Sequence, residues 1–557
     1  MTGSRRWVDA VWLLAFALAS SAWCLSAAPR LSATFDEPMY LNAGLTSWRT
    51  GSNKLLMSAG TMPLPVDVQT LPLYLWERQR GTPWDVTADM ATILPVARAA
   101  NLAFWWLLLV YTMRLGRTFG GAWGGRLAVA LVACEPNFLA HASLATTDIA
   151  VTACMMGFLY HAHHGLGHGW KRRVLVPGLW FGLATLAKAS GMVFGVQAYI
   201  VLCLCHLAKT GALAPPTGAS WWVRIVHIWH AGYASRKDMA QLMLIGFTLV
   251  FAYTGSDWGT ERTFVEWAET LPDGTLKSAM HPLSRNLTIF PNAGEALMQQ
   301  VKHNLRGQGT FLRGEWHERA HWSYFPVALS MKTPEPVIAL LLVVLMLHPC
   351  RLLSPLGWVA LVLLAFSLNC RVQIGIRFMF TLMAVSSIVL AAGIANAWTD
   401  GAKRSVPRGF VAFMLAALAV TSVWTWPDGL SYFNQIWGGP REGYKLLHDS
   451  NTDWGQGLPE LRDWHRANGE PPLGLWYYGT DPSFAAPPFR PIPLHVLPVT
   501  GGDDVKRHTG RGLLAVSVAF VSGDPGMTPS WRAAGEWLRT QKPVGRTTTF
   551  FVYELRE

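Results

Sequence analysis

Apolar runs near residues 8–28, 93–113, 120–139, 149–164, 174–188, 191–207, 239–254, 335–350, 352–369, 374–398 and 409–426 dictate the class of this chain before any motif is considered. Hydrocarbon offers the backbone no hydrogen-bond partner, so a segment that crosses it must be a helix of roughly 20 apolar residues. The pattern predicts a polytopic α-helical membrane protein with about eleven transmembrane helices, some shorter than a perpendicular crossing needs. Only 14% of the 557 residues are charged, against roughly 25% in an average soluble chain. The 28 Trp and 25 Phe suit aromatic belts at the two interfaces. A net charge of +12 would point to nucleic acid if Lys and Arg shared one region. They are dealt out between apolar runs instead, so the expected partner is the lipid bilayer and nucleic acid is not expected.

Orientation follows from where the basic residues fall. Arg5-Arg6 before the first run resembles a signal-peptide start, but the run merges into many later spans and reads as a retained helix. With the N-terminus in the cytoplasm, the basic loops all lie inside: Arg114, Arg117 and Arg126; Lys171-Arg172-Arg173; Lys209 to Lys237; Arg351; and Lys403, Arg404 and Arg408. One of these loops carries Trp221, Trp222, Ile225, Ile228 and Trp229 near helical spacing, the pattern of a helix lying on the bilayer. The outer loops span about 29–92, 135–148 and 255–334, with a tight turn at Lys188-Ala189-Ser190-Gly191 and another holding Arg371 and Arg377. The chain thus divides into a membrane part, 1–426, and an exterior tail, 427–557. In the tail, Leu473 to Tyr478, Leu513 to Val521 and Thr548 to Tyr553 look like strands, while Leu458 to Ala467 and Ser530 to Thr540 look helical. A small extracytoplasmic α/β domain is expected.

Isolated charges gather at the outer ends of the spans: Asp36, Glu37, Arg98, Asp148, Lys188, Lys332, Arg371 and Arg377. Any one of them could snorkel to the interface, and Asp36-Glu37-Pro38 could be no more than the start of a surface helix. As a set they suit one problem, displacing a lipid-linked phosphate from a sugar carbon. A carboxylate takes the proton of the acceptor hydroxyl or holds a divalent cation, while Lys and Arg neutralise the departing phosphate. No phosphate-binding loop or dinucleotide fingerprint occurs, so a nucleotide cofactor is not expected. The seven cysteines all lie in or beside apolar segments with no CxxC pair. His161, His163, His164 and His168 sit beside the inner Lys171 cluster and read as solvated loop, and Asn286-Leu287-Thr288 as a chance match to a glycosylation acceptor.

Five stretches carry a family resemblance: Asp36-Glu37 with Tyr40; Arg98; Glu135-Pro136-Asn137 followed by His141-Ala142-Ser143-Leu144-Ala145-Thr146-Thr147-Asp148; Leu186-Ala187-Lys188-Ala189-Ser190-Gly191; and Tyr324-Phe325-Pro326 to Lys332-Thr333-Pro334. In order and sidedness they resemble the GT-C polyprenyl-phosphate-dependent glycosyltransferases of the protein O-mannosyltransferase and aminoarabinose transferase type, glycosyltransferase family 39. The tail block Tyr432-Phe433-Asn434, Gly438-Gly439 and Asp449 to Gln456 is similar to that of the bacterial phospholipid-carrier-dependent members. The resemblance implies a GT-C fold in the bacterial inner membrane, and an inverting transfer of a hexosyl or pentosyl unit from a polyprenyl-phosphate donor to an unidentified protein, lipid or envelope-glycan acceptor at the outer face. It implies catalytic roles for Asp36 and Asp148. Tyr40, Lys188, Arg98 and Arg377 would contact the donor phosphate, and Asp36 and Asp148 are also the metal ligands if a divalent cation takes part. Glu37 is grouped with the catalytic residues, its task open between holding the loop, tuning Asp36 and touching the acceptor. One departure stands out: Met62-Pro63-Leu64-Pro65-Val66-Asp67-Val68-Gln69 holds no Lys or Arg where the family often has a basic residue, with Lys54 the nearest alternative. The alternatives are a ligase using a diphosphate-linked oligosaccharide and a lipid or sugar transporter, for which mid-span charges and internal repeats would be expected.

Overall fold

The computed structural model describes residues 4–555 except 215–217, 219, 257–258, 290, 308, 400–404, 511 and 523–527. Lys403 and Arg404 therefore lie outside the described residues, as do the side chains of Arg5 and Arg6.

Every apolar run of the sequence is helical. The first helix is Ser4–Ala27. Met90–Ala133 is two spans folded on one another at Gly120 and Gly121, the latter at φ 64°. Glycine is required on both arms of this hairpin, because a Cβ on Gly116 would stand 2.6 Å from the Gly124 carbonyl oxygen, and one on Gly124 would stand 2.5 Å from that of Gly116. Asp148–Gly165, Val176–Ala187, Ser190–Lys209 and Tyr233–Thr254 follow, then Glu335–Leu347, Pro355–Ser367, Phe380–Thr399 and Arg408–Trp424. Among the described residues, four stretches are long and apolar enough to cross a bilayer by themselves: Trp7–Arg30, Met90–Ala133, Ser190–Lys209 and Ile376–Thr399. Tyr324–Lys332 and Glu335–Leu347 form a fifth only as a pair bent by 109°. Phe380–Thr399 packs along Met90–Ala133 at the centre of the bundle, joining one continuous apolar core with Asp148–Gly165.

The connections at the end of the bundle that carries Asp36 are far from loose. The first holds helices Glu37–Thr50, Lys54–Ser58 and Leu64–Arg80; the second, Pro136–Ala142; the long one, Arg262–Thr270, Thr275–Asn286, Pro291–Arg306 and a hairpin pairing Thr310–Leu312 with Glu315–His317. Helix Trp221–Ala231 lies at the opposite end of the bundle with Trp221, Trp222 and Trp229 exposed.

The C-terminal domain is a mixed five-stranded sheet in the order 489–491, 473–476, 512–517, 550–555, 545–546. The first three strands are parallel, and 550–555 runs against both of its neighbours. Alternation along the strands feeds two cores. Leu473, Leu475, Ala515 and Val552 pack on helix Leu458–Ala467, while Trp476, Leu514, Val516 and Phe551 pack towards Gly502–Thr509 and Pro529–Thr540. The run expected as one strand to Val521 changes to helix at Val518–Ser522.

Candidate functional site

Asp36 and Glu37 are neighbours with opposite surroundings. Helix Glu37–Thr50 begins on them with Pro38 in its first turn, yet Asp36 makes no side-chain cap. Its Oδ2 instead accepts from Arg377 Nη1 at 3.1 Å, and a quarter of the side chain (26%) remains open to solvent.

Glu37 is wholly buried. Its Oε1 accepts from Arg98 Nε at 2.9 Å and from the Ala145 N–H at 2.7 Å; its Oε2 accepts from Arg98 Nη2 at 2.7 Å and from the Thr34 N–H and hydroxyl at 2.8 and 3.0 Å. Arg98 sends its remaining donors to the carbonyls of Ala28, Leu31 and Ser32. All five guanidinium N–H groups are then in use. Burial on its own would raise the Glu37 carboxyl, but Arg98 and the two N–H groups hold it below the usual carboxylate range. Glu37, expected among the catalytic residues, and Arg98, expected among the phosphate contacts, are hydrogen-bonded to one another and to neighbouring backbone, and Arg98 has no donor left over. The pair locks the connection after the first helix to the second span and to the 135–148 connection.

The other expected residues converge. Arg377 follows Gly375, whose φ of 152° and lack of a Cβ let the chain pass Ser450; a Cβ there would stand 2.0 Å from the Ser450 hydroxyl. Arg377 Nη1 lies 3.9 Å from Asp148 Oδ2, and Lys188 Nζ lies 2.6 Å from Asp148 Oδ1. Asp148 opens helix Asp148–Gly165, where the helix dipole favours a negative charge. Lys188 ends Val176–Ala187 in an extended conformation that aims its ammonium at Asp148, above the Phe378 ring at 4.4 Å. The result is an alternating row, Asp36–Arg377–Asp148–Lys188, drawn from four separate segments. Tyr40 lies buried beside it; burial first, and the Asp36 charge second, push its phenol up and keep it neutral.

Unlike the Glu37–Arg98 pair, this row is unsaturated. Asp148 Oδ2, Arg377 Nε and His141 Nδ1 are buried with no hydrogen-bond partner, and His141 Nδ1 is 3.8 Å from Asp148 Oδ2. Burial pushes the His141 imidazole down to about 3 against the pull of Asp148, so it is neutral near pH 7. Such buried, unpaired groups are ordinarily met by water or a ligand.

Sequence reasoning gave no role to His141, although it lay inside the quoted Glu135–Asp148 stretch, or to Trp454, whose ring lies 4.1 Å from the Arg377 guanidinium. Lys332, grouped with the outer charges, is a bolt: its Nζ donates to the carbonyls of Leu430 and Asn451 at 2.7 and 2.8 Å. Asp67 is another, accepting from the Tyr253 hydroxyl at 2.9 Å. The cation expected between Asp36 and Asp148 fits the donor set poorly, since Arg377 stands against both carboxylates and Lys188 takes the other Asp148 oxygen. Among the described residues, no group of three or more His, Cys, Asp or Glu side chains converges on a cation position.

Residues 90–218, under a quarter of the chain, match the family model described as dolichyl-phosphate-mannose-protein mannosyltransferase, in agreement with the resemblance drawn from the motifs. No curated protein matches the chain by sequence. Among solved structures, the chain is similar to ArnT from Cupriavidus metallidurans bound to undecaprenyl phosphate, at 13% identity over 97% of each chain with a TM-score of 0.44. It is also similar to the oligosaccharyltransferase AglB from Archaeoglobus fulgidus in complex with an inhibitory peptide and a dolichol-phosphate, at 14% identity over 75% of this chain and 55% of that one, TM-score 0.41. For the protein O-mannosyltransferase Pmt1-Pmt2 complex of S. cerevisiae bound to the sugar donor, the values are 16% identity, 48% and 37% coverage, and a TM-score of 0.28.

Proposed function

We propose that this protein is a membrane glycosyltransferase of the GT-C kind that moves a hexosyl or pentosyl unit from a polyprenyl phosphate to an acceptor hydroxyl outside the cytoplasm. The observation that carries the reading is the unsaturated row Asp36–Arg377–Asp148–Lys188 at one end of the bundle, with Asp36 and Lys188 as its solvent-facing ends. The family match over residues 90–218 supports it.

The chemistry is one displacement. Asp36 takes the proton as the acceptor oxygen bonds to the anomeric carbon, and the bond from that carbon to the phosphate oxygen breaks with its electron pair on the phosphate. Attack opposite the leaving group inverts the anomeric centre. Arg377 and Lys188 stabilise the charge that gathers on the released lipid phosphate. A guanidinium binds phosphate with a planar fork and an ammonium as a point charge. In the resting site Arg377 holds Asp36; a phosphate that competes for Arg377 frees the carboxylate to act as base. In this reading the two side-chain cations supply the positive charge that a divalent ion would otherwise bring. Two cations match a monophosphate donor better than a diphosphate. The basic loops support a reading with the N-terminus in the cytoplasm and the site at the exterior face of a bacterial inner membrane.

Asp36→Ala, assayed in detergent with polyprenyl-monophosphate sugars, is expected to abolish transfer and leave the protein folded. Full transfer by the variant with the donor that wild type uses overturns the assignment, and faster transfer from diphosphate lipids favours the ligase alternative.

A further inference from the structure

The segment that leads into Asp36 and the turn that carries Arg377 are held by the same piece of the exterior domain, the strap 449–456. On one side, the Ser32 N–H donates to the Gln456 carbonyl at 3.0 Å and the Phe35 N–H to the Trp454 carbonyl at 2.9 Å. On the other, the Ile376 N–H donates to Asn451 Oδ1 at 3.0 Å and the Ser450 hydroxyl to the Ile374 carbonyl at 2.5 Å. The strap is itself fixed. The Trp454 N–H donates to Gln456 Oε1 at 2.7 Å, and Gln456 Nε2 donates to both Asp428 oxygens at 3.2 and 3.1 Å.

Trp454 reaches both sides of the ion pair, through the residue before Asp36 on one side and Arg377 itself on the other. Its carbonyl binds the residue before Asp36, and its ring, only 2% exposed, lies 4.1 Å from the Arg377 guanidinium. A guanidinium on an aromatic face keeps its charge while its plane is set by the ring, and its N–H groups stay free to point outward. Arg377 uses Nη1 on Asp36 and leaves Nε unpaired.

We infer that Trp454 is the positioning residue of the Asp36–Arg377 pair, which makes the exterior domain part of the catalytic apparatus. The inference rests on the transfer reading above for its kinetic consequence, and on geometry alone for the placement of Arg377.

Two substitutions in the full-length protein test it. Trp454→Phe keeps an aromatic face and the backbone carbonyl; Trp454→Leu keeps only the carbonyl. With a polyprenyl-monophosphate sugar, kcat is expected to fall about 100-fold in Trp454→Leu, the scale of a small misplacement of a reacting group. Trp454→Phe is expected to recover most of it, with the acceptor KM unchanged in both. Arg377 labelling by phenylglyoxal, read by peptide mass spectrometry, is the measurement that needs no substrate. Arg377 is expected to be protected in wild type and Trp454→Phe and labelled in Trp454→Leu. Equal labelling in all three proteins overturns the proposal, as does full kcat in Trp454→Leu. Absence of transfer by wild type with the labelling contrast intact overturns the transfer reading and upholds the placement of Arg377.

Discussion

Glu37–Arg98 and Asp36–Arg377 begin from adjacent residues, and each joins a carboxylate to a guanidinium, yet one is closed and the other open. Arg98 uses all five N–H groups, and the Glu37 oxygens accept five hydrogen bonds, in a place no solvent reaches. Arg377 spends one donor on Asp36, keeps Nε unpaired, and stands 3.9 Å from a second carboxylate whose Oδ2 also lacks a partner. Both pairs are charged and both sit at the same end of the bundle. Hydrogen-bond saturation, not charge, separates scaffold from site.

Replacing one member of each pair tests that distinction. Asp36→Asn keeps the shape and removes the base; turnover is expected to drop by about 10³-fold, within the usual range for a general base, with the melting temperature unchanged in detergent. Glu37→Gln is expected to do the reverse. It strands the buried Arg98 charge and costs about 3–5 kcal/mol of stability, read by thermal unfolding, while the molecules that stay folded keep turning over. Should Glu37→Gln silence a fully folded protein, the division of roles fails. Arg377→Lys retains the charge and loses the fork, and about 10²-fold in kcat is expected to go with it.

The smallest effects concern Asp67 and metal. Burial raises the Asp67 carboxyl to about 6, with the Tyr253 hydroxyl and Asn53 pulling it back. Between its unfolded value near 4 and about 6 the folded state keeps this proton and the unfolded state does not, so this group makes stability fall as pH rises through that window. Asp67→Asn is expected to flatten that slope in melts taken from pH 4 to 7, without a change in transfer. Chelation of divalent cations is expected to leave turnover as it is, because Arg377 and Lys188 hold the positions a shared ion would need; loss of activity restored by added cation contradicts this.

The helices were legible because hydrocarbon leaves the sequence little freedom. A run such as 374–398 has few structures open to it, and even the division of Met90–Ala133 shows in the separate runs 93–113 and 120–139. The long connection 255–334 was not legible. Its hairpin and three helices are polar, with no apolar run of the kind that marks a span, and the helices pack largely on one another. The edge strands 489–491 and 545–546 were missed because segments of two or three residues carry no period. At the site, Asp148 and Lys188 announced themselves as lone charges beside apolar runs. Asp36 and Glu37 could not be told apart, since one step along the chain at a helix start turns a side chain from solvent to interior. Trp454 gave no signal, because its role exists only through pairing with residues remote in the chain.

That pairing also sets a clock. In the proposed orientation Asp36 reaches the outside with the first hairpin to be inserted, whereas the strap that braces it is made only after the last membrane helix, Arg408–Trp424, has left the ribosome. In the proposed reading, a chain still being synthesised therefore carries its base but not the support beneath Arg377, and full turnover begins only once the segment that bears Asp36 and the strap that braces it stand on the same side of the membrane.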